Sequence, residues 1–205
     1  MEQRIRTNGP AALLATAVLI GLAVGALTQI GQSVLPDGVR QVANSISPWV
    51  TVAFLVGALA PSPRWAAAGG FIALVGALVG YYALIFVRFG YTGGGSSLLL
   101  WTIGSVLGGL VFGPAGWFWR WTAGNARIAA IALLAAVFVA EGAYLILILP
   151  EPAVGLGFIV AGLAVPLTLG RSWHERGWAW LGMLPALGLG VIGYVGLTWL
   201  NSFLV

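Results

Sequence analysis

Residues 127–149 read RIAAIALLAAVFVAEGAYLILIL. One arginine opens the stretch, and a single acid, Glu141, interrupts it. Gly124-Asn125 precedes it and Pro150-Glu151-Pro152 closes it. As a helix at about 1.5 Å per residue it reaches about 35 Å, enough to cross a hydrocarbon core of roughly 30 Å. Only a helix or a closed barrel satisfies its own backbone in lipid. A continuous apolar run of this length is therefore a transmembrane helix.

The same reading extends along the whole chain. Its 205 residues are 60% hydrophobic and 7% charged, with ten tryptophans and no cysteine. All nine basic residues are arginines, set at intervals between apolar runs. The fold class is all-α, a polytopic transmembrane helical bundle forming a single integral membrane domain. Seven spans are expected, near 11–34, 42–60, 65–89, 98–119, 127–149, 154–170 and 178–203. The second is the shortest. Trp49–Ala60 covers only about 18 Å, so a crossing helix must start near Val42 and carry Asn44, Ser45, Ser47 and Pro48 in its opening turns. The alternative is six spans, with Leu35–Ala60 re-entrant. Gly113-Pro114 is expected to break the fourth span late, Pro166 lies in the sixth, and Gly90–Ser97 is a Gly/Ser loop.

Seven crossings with the N-terminus inside place Arg4, Arg6, Arg64, Arg120, Arg127, Arg171 and Arg176 in the cytoplasm, and only Arg40 and Arg88 outside. The positive-inside rule favours that arrangement over the six-span one, whose better split is six to three. Trp65, Trp117, Trp119, Trp121, Trp173, Trp178 and Trp180 then mark the inner boundary, and Trp49, Trp101 and Trp199 the outer one. The expected location is a bacterial cytoplasmic membrane, with the C-terminus extracytoplasmic. The Ala-, Gly- and Arg-rich, lysine-free composition suggests a GC-rich genome.

Composition also narrows the function. A net charge of +4 spread over short loops offers no basic patch for nucleic acid. Without cysteine there is no disulfide or thiolate chemistry, and one histidine makes no metal set or triad. HExxH, GxSxG and paired intramembrane carboxylates are missing from the sequence, which points away from an enzyme. No cofactor is expected. His174 and Glu175 read as interfacial residues of the last cytoplasmic loop. The loop Tyr91–Ser97 reads as a plain connection, since no lysine follows to complete a phosphate loop.

Glu141 carries the most information. It is the only acid inside a span, about 12 Å below the outer end. A charged side chain at the bilayer centre costs about 2.5–3.5 kcal/mol on insertion scales, so Glu141 is expected to face a partner, a cavity or a proton. Tyr144, at i+3, is within reach, and an ion pair with Arg88 is one structural alternative. Ala129, Ala132, Ala136, Ala140 and Ala143 form a small-residue stripe away from it. Gln29, Gln32, Asn44, Tyr81, Tyr82, Arg88, Glu141 and Tyr144 all fall in the outer third, a one-sided polar layer suited to a solute site or to fixing helix register. Gly21/Gly25, Gly76/Gly80, Gly104/Gly108 and Gly109/Gly113 have small-xxx-small spacing, for packing within the chain or for a homo-oligomer or membrane-protein partner.

Gly31-Gln32-Ser33-Val34-Leu35-Pro36, Ala43-Asn44-Ser45 and Pro48-Trp49, with Gly80-Tyr81-Tyr82, resemble an uncharacterised family of small multi-pass membrane proteins from high-GC bacteria. That resemblance implies a membrane bundle and no assigned activity. In size and apolarity the chain is also similar to the substrate-binding subunits of energy-coupling-factor vitamin transporters, which typically have six spans; no vitamin-specific motif is present. Two functions are expected. The first is small-solute binding or transport in the outer half, with Glu141 as the charge-bearing group and Gln29, Gln32, Asn44, Tyr81 and Tyr144 orienting the solute. The second is a non-catalytic accessory subunit of a larger complex.

Overall fold

A computed structural model describes residues 9–91 and 95–204. Arg4, Arg6 and the Thr92–Gly94 part of the loop lie outside the described residues. The elements are α1 (Pro10–Val34), α2 (Asp37–Arg40), a 3-10 turn (Gln41–Asn44), α3 (Ile46–Ala58), α4 (Pro63–Phe89), α5 (Gly95–Trp121), α6 (Asn125–Leu147), α7 (Pro152–Leu169) and α8 (Trp173–Leu204). Among the described residues there is no strand. The protein is an all-helical membrane bundle. Five helices, α1, α4, α5, α6 and α7, are long and apolar enough to cross. α3 is apolar but has 13 residues, about 20 Å.

The helices alternate in direction, and glycine contacts show it. α1 and α4 run parallel: Leu13 lies by Gly69, Gly21 by Ala73 and Gly25 by Ala77. Chain that leaves the top of α1 and enters α4 at the bottom must come back down between them. α3 does this, with Trp49 against Tyr81 and Val56 against Gly69. A re-entrant 35–60 would instead make α1 and α4 antiparallel. α5 then descends beside α4, pairing Gly109 with Gly70 and Gly113 with Ala66. α6 ascends, α7 descends along it through Gly155–Gly142 and Gly162–Ala135, and α8 ascends beside α6 through Gly182–Ala132 and Gly190–Ala140.

These seams use the small-residue spacings inside the chain. A Cβ at Gly21 would stand 2.3 Å from the Ala73 carbonyl oxygen, so only glycine allows this approach. The alanine stripe on α6 has the same use, with Ala132 and Ala136 packing on Met183 of α8.

Local outcomes differ from expectation in three places. α3 begins at Ile46, because Gln41–Asn44 closes into a 3-10 turn first. α5 begins at Gly95 and runs unbroken through Pro114 to Trp121; Gly113 at that point lets the backbones of α3 and α4 approach. Glu175, read as an interfacial residue, is held in a largely buried ion pair. It pairs with Arg127 at 3.1 Å, the side chains being 12% and 8% exposed. Arg127 also donates to the Trp119 carbonyl at 3.0 Å and to that of Thr122. The loops around α5–α6 and α7–α8 are thereby tied at one end of the bundle, the end that also carries Arg64, Arg120, Arg171 and Arg176. Arg40 and Arg88 lie at the opposite end.

Candidate functional site

The opposite end is where α1, the 3-10 turn, α3, α4 and α5 converge. Glu141 reaches this region from α6 and is 4% exposed. Its Oε1 accepts the Ile46 backbone N–H at 2.7 Å, and its Oε2 accepts the Ser47 N–H at 2.8 Å and the Ser47 hydroxyl. These amides are the first of α3, which have no partner inside that helix. Ser45, at the cap position, makes no side-chain cap to either amide; its hydroxyl is turned to the Gln41 carbonyl, to which it donates at 2.7 Å. The carboxylate of α6 substitutes for that cap and lies on the positive end of the α3 dipole. Its lost hydration is offset by backbone, as the energetic argument required.

Arg88 does not reach Glu141. It donates to Gln29 Oε1 at 3.0 Å and to the Ser33 hydroxyl at 2.8 Å. Gln29 is buried, and Arg88 bridges α4 to the end of α1 at the rim. Tyr144 lies one turn beyond Glu141, half-buried on α6. The expected polar layer therefore divides into the Glu141 clamp, the Gln29–Arg88–Ser33 rim and a third group.

That third group lines a cleft. Tyr81 donates from its hydroxyl to Gln32 Oε1 at 2.6 Å, and Gln32 Nε2 donates to Asn44 Oδ1 at 3.0 Å. Trp49 donates from its indole to Thr28 Oγ1 at 3.1 Å. A small cavity of about 20 Å³ opens among Thr28, Gln32, Asn44, Trp49, Tyr81, Tyr82 and Trp101. Trp49 and Trp101 also wall an adjoining apolar pocket of about 220 Å³, with Ile46, Val50, Leu74, Leu100, Gly104 and Ser105. Glu141 lines neither cavity, and neither do Gln29, Arg88 or Tyr144. The sequence placed Trp49 and Trp101 in an outer aromatic belt. Instead Trp49 is buried and Trp101 is half-buried, with ring centroids 5.7 Å apart.

Residues 31–36, 43–45, 48–49 and 80–82, which carry the family resemblance, supply Gln32, Asn44, Trp49, Tyr81 and Tyr82 to this cleft. Residues 4–199 match the family of unknown function DUF6518. The chain belongs to that family. Comparison with curated proteins and with solved structures finds no match. What the DUF6518 fold offers here is a cleft with polar groups on one wall, aromatic rings at the waist and an apolar floor.

Proposed function

We propose that the protein binds a small solute in this cleft. The observation that carries the reading is the junction of the Gln32–Asn44–Tyr81 wall with the 220 Å³ apolar pocket at Trp49 and Trp101. Concave, mostly apolar sites with a few placed polar groups are the usual form of small-ligand pockets. Leu74 and Val50 close the floor, so the geometry supports a binding step; transport requires the helices to move. A partner-docking role has less support, because the chain's own helices fill most of its glycine seams.

Gly104 gives a clean test. A Cβ there meets nothing within 4 Å, although the residue lines the pocket. Gly104→Leu should fill the opening while keeping or raising thermal stability, since leucine is the better helix former. Native mass spectrometry of mildly extracted wild type is expected to show a retained solute that Gly104→Leu has lost. Retention of the same mass by both proteins, or a wild type carrying no solute, would overturn the reading.

The same proposal assigns the arginine-rich end to the cytoplasm of a bacterial inner membrane, by the positive-inside rule, with the cleft facing outward. A phosphatase fused at the C-terminus should be active and a fluorescent protein there dark. A cytoplasmic signal at that terminus would refute this orientation.

A further inference from the structure

We infer that the solute is a compact organic cation, an ammonium group with small apolar substituents. This rests on the binding reading above and adds the chemical class.

Four rings surround the cleft. Trp49 lies 6.5 Å from Tyr81 at 67° and 5.7 Å from Trp101 at 40°, and Tyr81 lies 5.2 Å from Tyr82 at 83°. All four rings line the small cavity, and Trp49 and Trp101 line the apolar pocket as well. The face of each ring is its negative pole, and a cation within about 6 Å of a ring centroid is attracted, more strongly where water is excluded.

The polar groups favour the same charge. Several lining donors are already used: the Tyr81 hydroxyl on Gln32, the Gln32 amide on Asn44, the Trp49 indole on Thr28 and the Ser45 hydroxyl on Gln41. Their oxygens keep lone pairs, and the donors left on Asn44, Tyr82 and Trp101 are neutral. Among the described residues no Arg, Lys or His lines either cavity. No Asp or Glu lines them either, so neither sign of charge meets a countercharge in the cleft; the ring faces offset part of a cation's lost hydration and none of an anion's. The nearby cation, Arg88, is turned to Gln29 and Ser33.

One feature would oppose a cation, the positive end of α3 at Ile46, which lines the apolar pocket. Glu141 lies on that end and accepts the Ile46 amide. The carboxylate thus removes a repulsive dipole from behind the site without entering it. The 20 Å³ cavity takes little more than one water-sized group, so the ammonium sits where the two cavities meet at Trp49 and Trp101, with its substituents and a short tail in the 220 Å³ pocket.

Three probes of one shape separate charge from fit: choline, its neutral carbon isostere 3,3-dimethylbutan-1-ol, and the anion 3,3-dimethylbutanoate. Calorimetry on the full chain in detergent is expected to show choline binding about 10-fold tighter than the alcohol, with no heat from the anion. Trp101→Leu should weaken choline about 10-fold, whereas Trp101→Phe, which keeps a ring, should stay within about 3-fold. Tyr82→Leu is a second ring deletion, to be used should Trp101→Leu not fold. The inference is overturned by an alcohol that binds as tightly as choline, by ring deletions that leave choline unaffected, or by choline that does not bind. If the alcohol matches choline and both weaken on ring deletion, the cleft remains a solute site of a different class. The retained mass lost in Gly104→Leu tests the site independently of charge.

Discussion

Glu141→Ala is expected to lower unfolding stability by about 3–5 kcal/mol, among the largest effects of any side-chain truncation in this protein. The carboxylate is the acceptor for the Ile46 amide, the Ser47 amide and the Ser47 hydroxyl. Ser45 and Ser47 are buried beside it, so water does not replace it readily. Each buried donor left unmade costs about 1–3 kcal/mol. Glu141→Gln keeps the shape and one acceptor oxygen but turns an NH2 toward donors, so an intermediate loss of about 1–2 kcal/mol is expected. Thermal unfolding in detergent, followed by tryptophan fluorescence, measures both. An alanine variant melting with the wild type would show that the clamp does not stabilise α3. A clamp of this kind also predicts that solute affinity falls as α3 loses order, as Ile46, Trp49 and Val50 of the pocket lie on that helix.

Gly25→Leu should abolish the fold. A Cβ at Gly25 would stand 1.9 Å from the Ala77 carbonyl oxygen and 2.7 Å from the Tyr81 amide nitrogen, both rigid backbone. α1 and α4 must then separate, and in lipid no hydrophobic force closes the gap, since close packing itself drives association. Separation would also draw Gln29 from Arg88 and Gln32 from Tyr81. Size-exclusion chromatography should recover little monodisperse Gly25→Leu, against normal recovery of Gly104→Leu, the same exchange in open space. A monodisperse Gly25→Leu with wild-type stability would mean that the α1–α4 seam is not needed for folding.

The two glycines show where the sequence was legible. Gly21 and Gly25 are four apart on one helix face, and their spacing indicates a close contact. It does not name Ala73 and Ala77 as the partners. Gly104 and Gly108 have the same spacing, yet Gly104 meets nothing, because that part of α5 borders the cleft. Glu141 is similar. Its burial inside a span announces a compensating partner, but the amides it meets lie 94 and 95 residues away. They are open because the first amides of a helix have no partner within it and Ser45 makes no side-chain cap. Trp49 and Trp101 were hidden for another reason. A tryptophan near a helix end reads as an interfacial anchor, and nothing local distinguishes that from a ring turned inward by its helix.

The chain alone determined that it is a helical bundle in a membrane, roughly where each helix runs, and that its charges divide unevenly between alternate loops. Lipid offers backbone groups no hydrogen bonds, so each crossing segment must satisfy its own and is written as a continuous local run. Only the tertiary structure decided that α1 and α4 run parallel, that Glu141 holds α3, and that two tryptophans border a cleft. In water an apolar stripe marks the buried face of a helix; in lipid both faces are apolar, and the choice of neighbour rests on shape and on a few polar groups far apart in the chain.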